Sequence, residues 1–157
     1  MYKYLTTLIA LLVFSPSVFS ETSGFGKKIE LDRFYYLVIS NDDQDHVSIS
    51  IHFGDEEENR LVEQYVVGNA VASDENIKSL ELDSSNNTSE IVISVHDKTS
   101  NYGARTGIII YKKSWWHLMK IPDEKYHLHY DDKNNIYEIE INGDLYNFSQ
   151  GIFIIKE

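Results

Sequence analysis

Residues 136–148 read IYEIEINGDLYNF. The Asn142-Gly143 pair inside this stretch is the strongest local signal in the chain. It fits a two-residue type I′ hairpin turn, in which both central residues take positive φ. Branched and aromatic residues flank it, as strands prefer. The turn sets a register in which Ile139 faces Tyr146 and Tyr137 faces Phe148 on one side of the sheet. Glu138 and Glu140 are then expected to point to water on the other side.

The same pattern recurs in both directions. Ile152 to Lys156 reads as a strand beyond the hairpin and Tyr126 to Tyr130 as one before it. Further upstream are Trp115 to Ile121, ended by Pro122, then Thr106 to Lys112, Glu90 to His96 and Ile77 to Asp83. Val47, Ile49, Ile51 and Phe53 alternate with Ser48, Ser50 and His52, which predicts a strand with one wet face. Asp32 to Ser40 is its expected hairpin partner. One segment reads differently. Asp55 stands at a helix N-cap position with Glu58 three residues on, a capping box. Leu61, Val62, Tyr65 and Val66 fall on one helical face and Gly68 can end the helix, so a helix is expected over residues 55–68. The connecting turns are too short for parallel crossovers, so the expectation is a mainly β protein: an antiparallel sandwich or rolled sheet of about eight or nine strands with one short helix.

The first twenty residues have a basic Lys3, an apolar run from Leu5 to Phe14, Pro16, and a small residue at Ser20. This is the pattern of a secretory signal peptide, and its apolar run is half the roughly 20 residues needed to span a bilayer. Residues 21–28 read as a flexible N-terminal segment and residues 29–157 as a single β-rich domain. The chain carries no cysteine. An exported domain without disulfides fits a bacterial periplasm or medium.

Composition removes several function classes. The formal net charge is −11, which argues against nucleic acid or an anionic membrane as the main partner. Without cysteine there are no Fe–S clusters and no thiol chemistry. The sequence has no phosphate-binding loop, dinucleotide glycine motif or G-x-S-x-G elbow. No catalytic residue is therefore singled out, and no cofactor is expected.

The candidates that remain point to binding. The loop between the Glu90 and Thr106 strands carries Asn101, Tyr102, Gly103 and Arg105. Tyrosine and arginine are favoured at interfaces, and a glycine lets such a tip turn tightly. Trp115 and Trp116 must point to opposite faces of a regular strand. Trp115 groups with His117, Met119 and Ile121, so Trp116 is expected to be the exposed one. Two weak metal candidates complete the set. Asn41, Asp43 and Asp45 have the alternate spacing of a calcium loop, but His46 and His52 occupy its sixth and twelfth positions. His127 and His129 share a strand face and need a third ligand, from His96, His117 or an aspartate.

Glu56, Glu57, Glu58 and Glu63, with Asp42, Asp43 and Asp45, would give an acidic surface that speeds encounter with a basic protein. The expectation is a small exported acidic binding protein, and specifically an inhibitor or immunity-type protein that blocks a basic enzyme or toxin. A small-ligand or glycan-binding module is the second reading and a hydrolase or metal-dependent enzyme the third.

Overall fold

Asn142 and Gly143 take φ values of 55° and 90°, and Ile139 pairs with Tyr146 across them. The hairpin and its Ile139–Tyr146 pair are those the sequence specifies, but the ladder does not extend to Tyr137 and Phe148: it ends at Ile139, and the Tyr137 N–H donates to the Glu81 carbonyl instead. The computed structural model describes residues 25–42, 44–55, 58–83, 85, 88–98 and 104–157. The signal peptide expected at 1–20 lies outside these residues, as do 21–24. Among the described residues no helix is long and apolar enough to cross a membrane.

The described residues form thirteen strands in three antiparallel sheets. Sheet 1 runs in order through β1 (Gly26–Glu30), β2 (Tyr35–Asn41), β3 (Val47–Phe53) and β4 (Arg60–Val67). Sheet 2 is built on β7 (Glu90–Asp97), β8 (Arg105–Lys112) and β9 (Trp116–Lys120). Two short strands, β5 (Ala70–Val71) and β6 (Ile77–Leu80), pair with successive parts of β7. Sheet 3 is the meander β10 (His127–Asp131), β11 (Ile136–Ile141), β12 (Asp144–Ser149) and β13 (Ile152–Ile155). The fold class is mainly β and antiparallel, as expected. The finer architecture is corrected: there are three stacked sheets rather than a two-sheet sandwich or one rolled sheet.

The middle sheet explains the stacking. Ile91, Ile93 and Val95 of β7 and Ile108 and Ile110 of β8 join Leu37, Ile39, Val47, Ile49 and Ile51 of sheet 1 in one core. Val92 and Ile109, from the same two strands, point the other way and join Ile139, Ile141 and Phe148 of sheet 3 in a second core. Side chains alternate along a strand, so a run such as Ile108-Ile109-Ile110 requires an apolar partner on each face.

The helix expected over 55–68 does not form. Its cap does: Asp55 Oδ1 accepts the Glu58 N–H at 2.9 Å. The turn then hands over to β4, which pairs along β3 from Val47↔Val67 to Phe53↔Arg60, with a bulge opposite Ile51/His52. The open edge of β3 offers a full ladder to a segment rich in Val, Leu and Tyr, and branched Val66-Val67 resists helix. The only helical turn among the described residues is a 3₁₀ turn at Asp74–Asn76. Gly26 to Lys28, read as a flexible lead-in, lie in β1 and pair with β2 from Gly26↔Ser40 to Lys28↔Val38. Glu138, expected in water, is 6 % exposed and receives a hydrogen bond from the Lys156 ammonium.

Gly107 in β8 shows how tightly sheets 2 and 3 meet. A Cβ there would lie 2.5 Å from Tyr126 Cε1 and 2.7 Å from Ile121 Cδ1. Tyr126 is fully buried, so its ring has nowhere to retreat. Gly107→Ala is expected to destabilise the fold by about 1–3 kcal/mol, the usual cost of overpacking. Gly26→Ala, where a Cβ meets nothing within 4 Å, is expected to stay within about 0.5 kcal/mol of the parent. Urea midpoints of the two variants check both statements, and equal midpoints would contradict the packing argument.

Candidate functional site

Asp32 sits in the turn between β1 and β2. Its Oδ1 accepts the N–H groups of Phe34 at 3.0 Å and Tyr35 at 3.1 Å. These bonds close the turn and leave Phe34 outside the sheet, 53 % exposed. Its other oxygen reaches across to sheet 2, where Oδ2 accepts from Lys112 Nζ at 2.9 Å and from Trp116 Nε1 at 2.8 Å. One carboxylate thus ties the β1–β2 turn to the β8–β9 turn.

That tie decides the orientation of the tryptophan pair. Trp116 is 2 % exposed and packs in the core between sheets 1 and 2. Trp115, still in the turn before β9, is 51 % exposed. The expectation that Trp116 is the exposed member is therefore reversed. The regular strand begins at Trp116, so the alternation that was meant to bury Trp115 does not reach it.

Trp115 forms one wall of an open groove of about 300 Å³ at the same end of the molecule. The other walls are Tyr35 and Phe53 from β2 and β3 and Arg60, Leu61 and Val62 from β4. Phe53 stacks on Phe34 with centroids 6.1 Å apart and meets Tyr35 edge-on at 5.1 Å. The bulge in β4 falls at Val62, which has no partner in the β3 register. A bulge re-aims the side chains around it, and here Leu61 and Val62 are both exposed. Behind Trp115 lies His117, with ring centroids 5.2 Å apart. Its Nδ1 is 3.7 Å from Glu63 Oε2, and that same oxygen accepts the Leu118 N–H at 3.0 Å. Glu63 thereby covers a ladder donor on the edge strand β9 and braces the groove from behind. Burial, with the Glu63 charge adding to it, raises the pKa of the neighbouring Tyr111 phenol.

The sequence-derived candidates are distributed differently. Asn101, Tyr102 and Gly103 lie outside the described residues. Arg105 begins β8, and its guanidinium lies 4.4 Å over the Tyr126 ring and donates to the Tyr126 carbonyl oxygen. It holds the sheet 2–sheet 3 junction together. Of the calcium-like turn, Asp43 lies outside the described residues. The Asn41 side chain accepts from Ala72 N–H at 3.4 Å, and Asp45 pairs with Lys98. His127 and His129 do share a face, at 6.4 Å between ring centroids, and His129 Nε2 is 2.7 Å from Glu140 Oε2. Among the described residues no three metal-ligating side chains converge.

A second arrangement escaped the sequence reading. His52 Nε2 is 2.9 Å from Ser50 Oγ, and His52 Nδ1 is 2.7 Å from Asn59 Oδ1. The imidazole stacks on Tyr36 at 5.2 Å. Nucleophile, base and orienting group stand at the distances used by hydrolases. Two further requirements fail. Ser50 is 6 % exposed and lines neither the groove nor the cavity beside it. It also sits mid-ladder, opposite Val38 on one side and Gln64 on the other, where backbone N–H groups are engaged between strands and leave no oxyanion hole. The network pins the outer face of sheet 1. Compared with known protein families, curated proteins and solved structures, the chain matches none.

Burial opposes ionisation of Asp32, but the bonds from Lys112, Phe34 and Trp116 outweigh it and hold the pKa at about 2, below its ordinary 3.8. A depressed carboxylate contributes stability in full above its unfolded pKa and loses it as pH falls through the folded one. Asp32→Asn, which keeps the shape and removes the charge, is expected to cost about 1–3 kcal/mol at pH 7. The gap between parent and variant should narrow as pH drops from about 4 to about 2. Denaturant titrations across that window check it, and a constant gap would mean the charge is not what holds the two turns.

Proposed function

We propose that this is an exported, non-catalytic binding protein that docks a protein partner in the groove walled by Tyr35, Phe53, Arg60, Leu61, Val62 and Trp115. One observation carries this reading. Phe53, Leu61, Val62 and Trp115, all exposed, line one groove at one end of the molecule, and exposed Phe34 stacks on Phe53 at its rim. Burying scattered apolar side chains is not needed for solubility, but a contiguous set of them marks an interaction site. Tryptophan, tyrosine and arginine are also the residues that dominate interface energetics, because each combines area with a polar handle.

The specific form of the proposal is an inhibitor or immunity-type protein acting on a basic enzyme or toxin outside the cytoplasm. The net charge of −11 supports it by steering a basic partner toward the chain before contact. The groove then anchors one side chain of that partner, and the acidic surround sets the encounter rate. A second reading has support from the same walls. A volume of about 300 Å³ meets the lower limit for a small-molecule site, and exposed aromatic faces suit a glycan ring.

Immobilised residues 21–157 are expected to retain one stoichiometric protein from periplasmic or secreted extracts at physiological salt, and to inhibit it. Trp115→Ala is expected to weaken that binding roughly 30-fold or more, the scale of a central tryptophan anchor. Equal retention by Trp115→Ala would remove the groove from the interface. Retention of no protein at any salt would overturn the protein-partner reading in favour of a small ligand, which glycan-array binding would then identify.

A further inference from the structure

We infer that the segment entering the groove is acidic as well as aromatic: an aromatic side chain seats between Trp115, Tyr35 and Phe53 while a carboxylate beside it pairs with Arg60. This rests on the proposed docking of a protein partner in the groove and adds the chemistry of its anchor.

Arg60 supplies the cationic charge in the groove wall. It is exposed, and it makes no ion pair with any described residue. Two carboxylates near the groove are engaged elsewhere. Asp32 holds Lys112 and Trp116, and Glu63 holds the Leu118 N–H and stands beside His117. A second guanidinium, that of Arg33, lies 5.3 Å over the Phe34 ring on the adjoining rim. Glu30 and Asp55 border the cavity on that side, so Arg60 is the charge that faces the groove itself.

A guanidinium beside an apolar wall favours a carboxylate over a neutral group. The planar fork donates two parallel hydrogen bonds, and the partial exclusion of water strengthens both. Aromatic walls set the neighbouring selectivity. Offset and edge-on ring contacts add to burial when the entering side chain is itself aromatic. In an extended segment the residues on either side of that ring point away from its face, and flexible glutamate side chains reach back to the rim.

The acidic anchor does not conflict with a basic partner. Charges interact over about 8 Å at physiological ionic strength. Arg60 therefore acts on the one or two groups that enter the groove, while the net charge of the facing surfaces steers the approach.

The probes are three capped pentapeptides, GEFEG, GKFKG and GEAEG, titrated into the mature chain, residues 21–157. The reporter is the Trp115 indole N–H resonance, assigned by its disappearance in Trp115→Phe. The acidic aromatic peptide GEFEG is expected to shift that resonance and to bind at least about 10-fold tighter than GKFKG, with GEAEG weaker than both. Arg60→Ala should reduce the preference for GEFEG over GKFKG to within about twofold, and Arg60→Lys should leave an intermediate preference, since the charge remains and the fork is lost. Unchanged thermal midpoints confirm that the fold is intact in both variants. Equal or tighter binding of GKFKG overturns the acidic anchor and leaves the groove as an aromatic site. If none of the three peptides moves the Trp115 resonance, the docking reading falls with it.

Discussion

A single carboxylate, that of Asp32, joins two parts of the chain about eighty residues apart and fixes what lies on either side of them. The physical constraint behind it is the indole N–H of Trp116. A tryptophan buried to 2 % between two sheets brings a large apolar gain, but its one donor must be satisfied or the gain is partly cancelled. Asp32 satisfies it from the opposite sheet. It also receives Lys112, so the carboxylate itself is not left as an unpaired charge at the interface. Because the same group closes the β1–β2 turn, the position of Phe34 and the depth of Trp116 are set by one set of bonds. The outward projection of Trp115 follows from the inward projection of its neighbour. The groove is thus a consequence of how sheets 1 and 2 are fastened at their ends.

The middle sheet sets a different constraint. Its two long strands are apolar on both faces, and this demands an outer sheet on each side. In a chain of this length the outer sheets are then necessarily half-solvated, with serines, histidines and charged residues on their outer faces. That is why polar networks such as Ser50–His52–Asn59 arise there. Such networks are common on an outer sheet face, and here the serine of the set is itself buried. The sheet 2–sheet 3 junction is closed by other means. Gly107 lets the Tyr126 ring lie directly on β8, the Tyr126 hydroxyl meets Ser94 Oγ, and the Arg105 guanidinium lies over the ring. Asp83 adds a bond from this connection to Gln150 N–H at the β12–β13 turn.

Strands that alternate and turns with special φ were legible in the sequence. The Asn142-Gly143 hairpin, the β2–β3 pair and the sheet 3 meander all follow from period-two patterns and short turns. Two kinds of element were not. The segment after Asp55 carries a genuine capping signal that is realised as the bond from the Glu58 N–H to Asp55 and then overridden, because tertiary pairing with β3 offers more than local propensity can. Its apolar residues at 61, 62, 65 and 66 fit a helix face, but a bulged strand accommodates the same spacing. The site was less legible than the fold, since its walls come from strand ends and turns of two sheets. Trp115 gave one usable clue: it directly follows Lys113-Ser114, a turn, so strand alternation had no hold on it. Arg105 showed the opposite error. Arginine beside a loop suggests an interface, but a buried tyrosine with a free carbonyl recruited it inward.

The distribution of cations sharpens the meaning of the groove. In a chain with a net charge of −11, most cations that the structure fixes are fixed by carboxylates: Lys27 by Asp74, Lys98 by Asp45, Lys112 by Asp32, and Lys156 by Asp131 and Glu138. Those pairs serve strand ends and sheet junctions. Arg60 stands apart from that arrangement, on a bulged edge strand whose bulge also turns Leu61 and Val62 outward. A bulge on an edge strand twists the edge away from unwanted pairing. In β4 the same distortion brings two aliphatic side chains and an exposed guanidinium together beside three aromatic rings. Edge protection and the exposure of these groove walls are, at this point in the chain, one structural event.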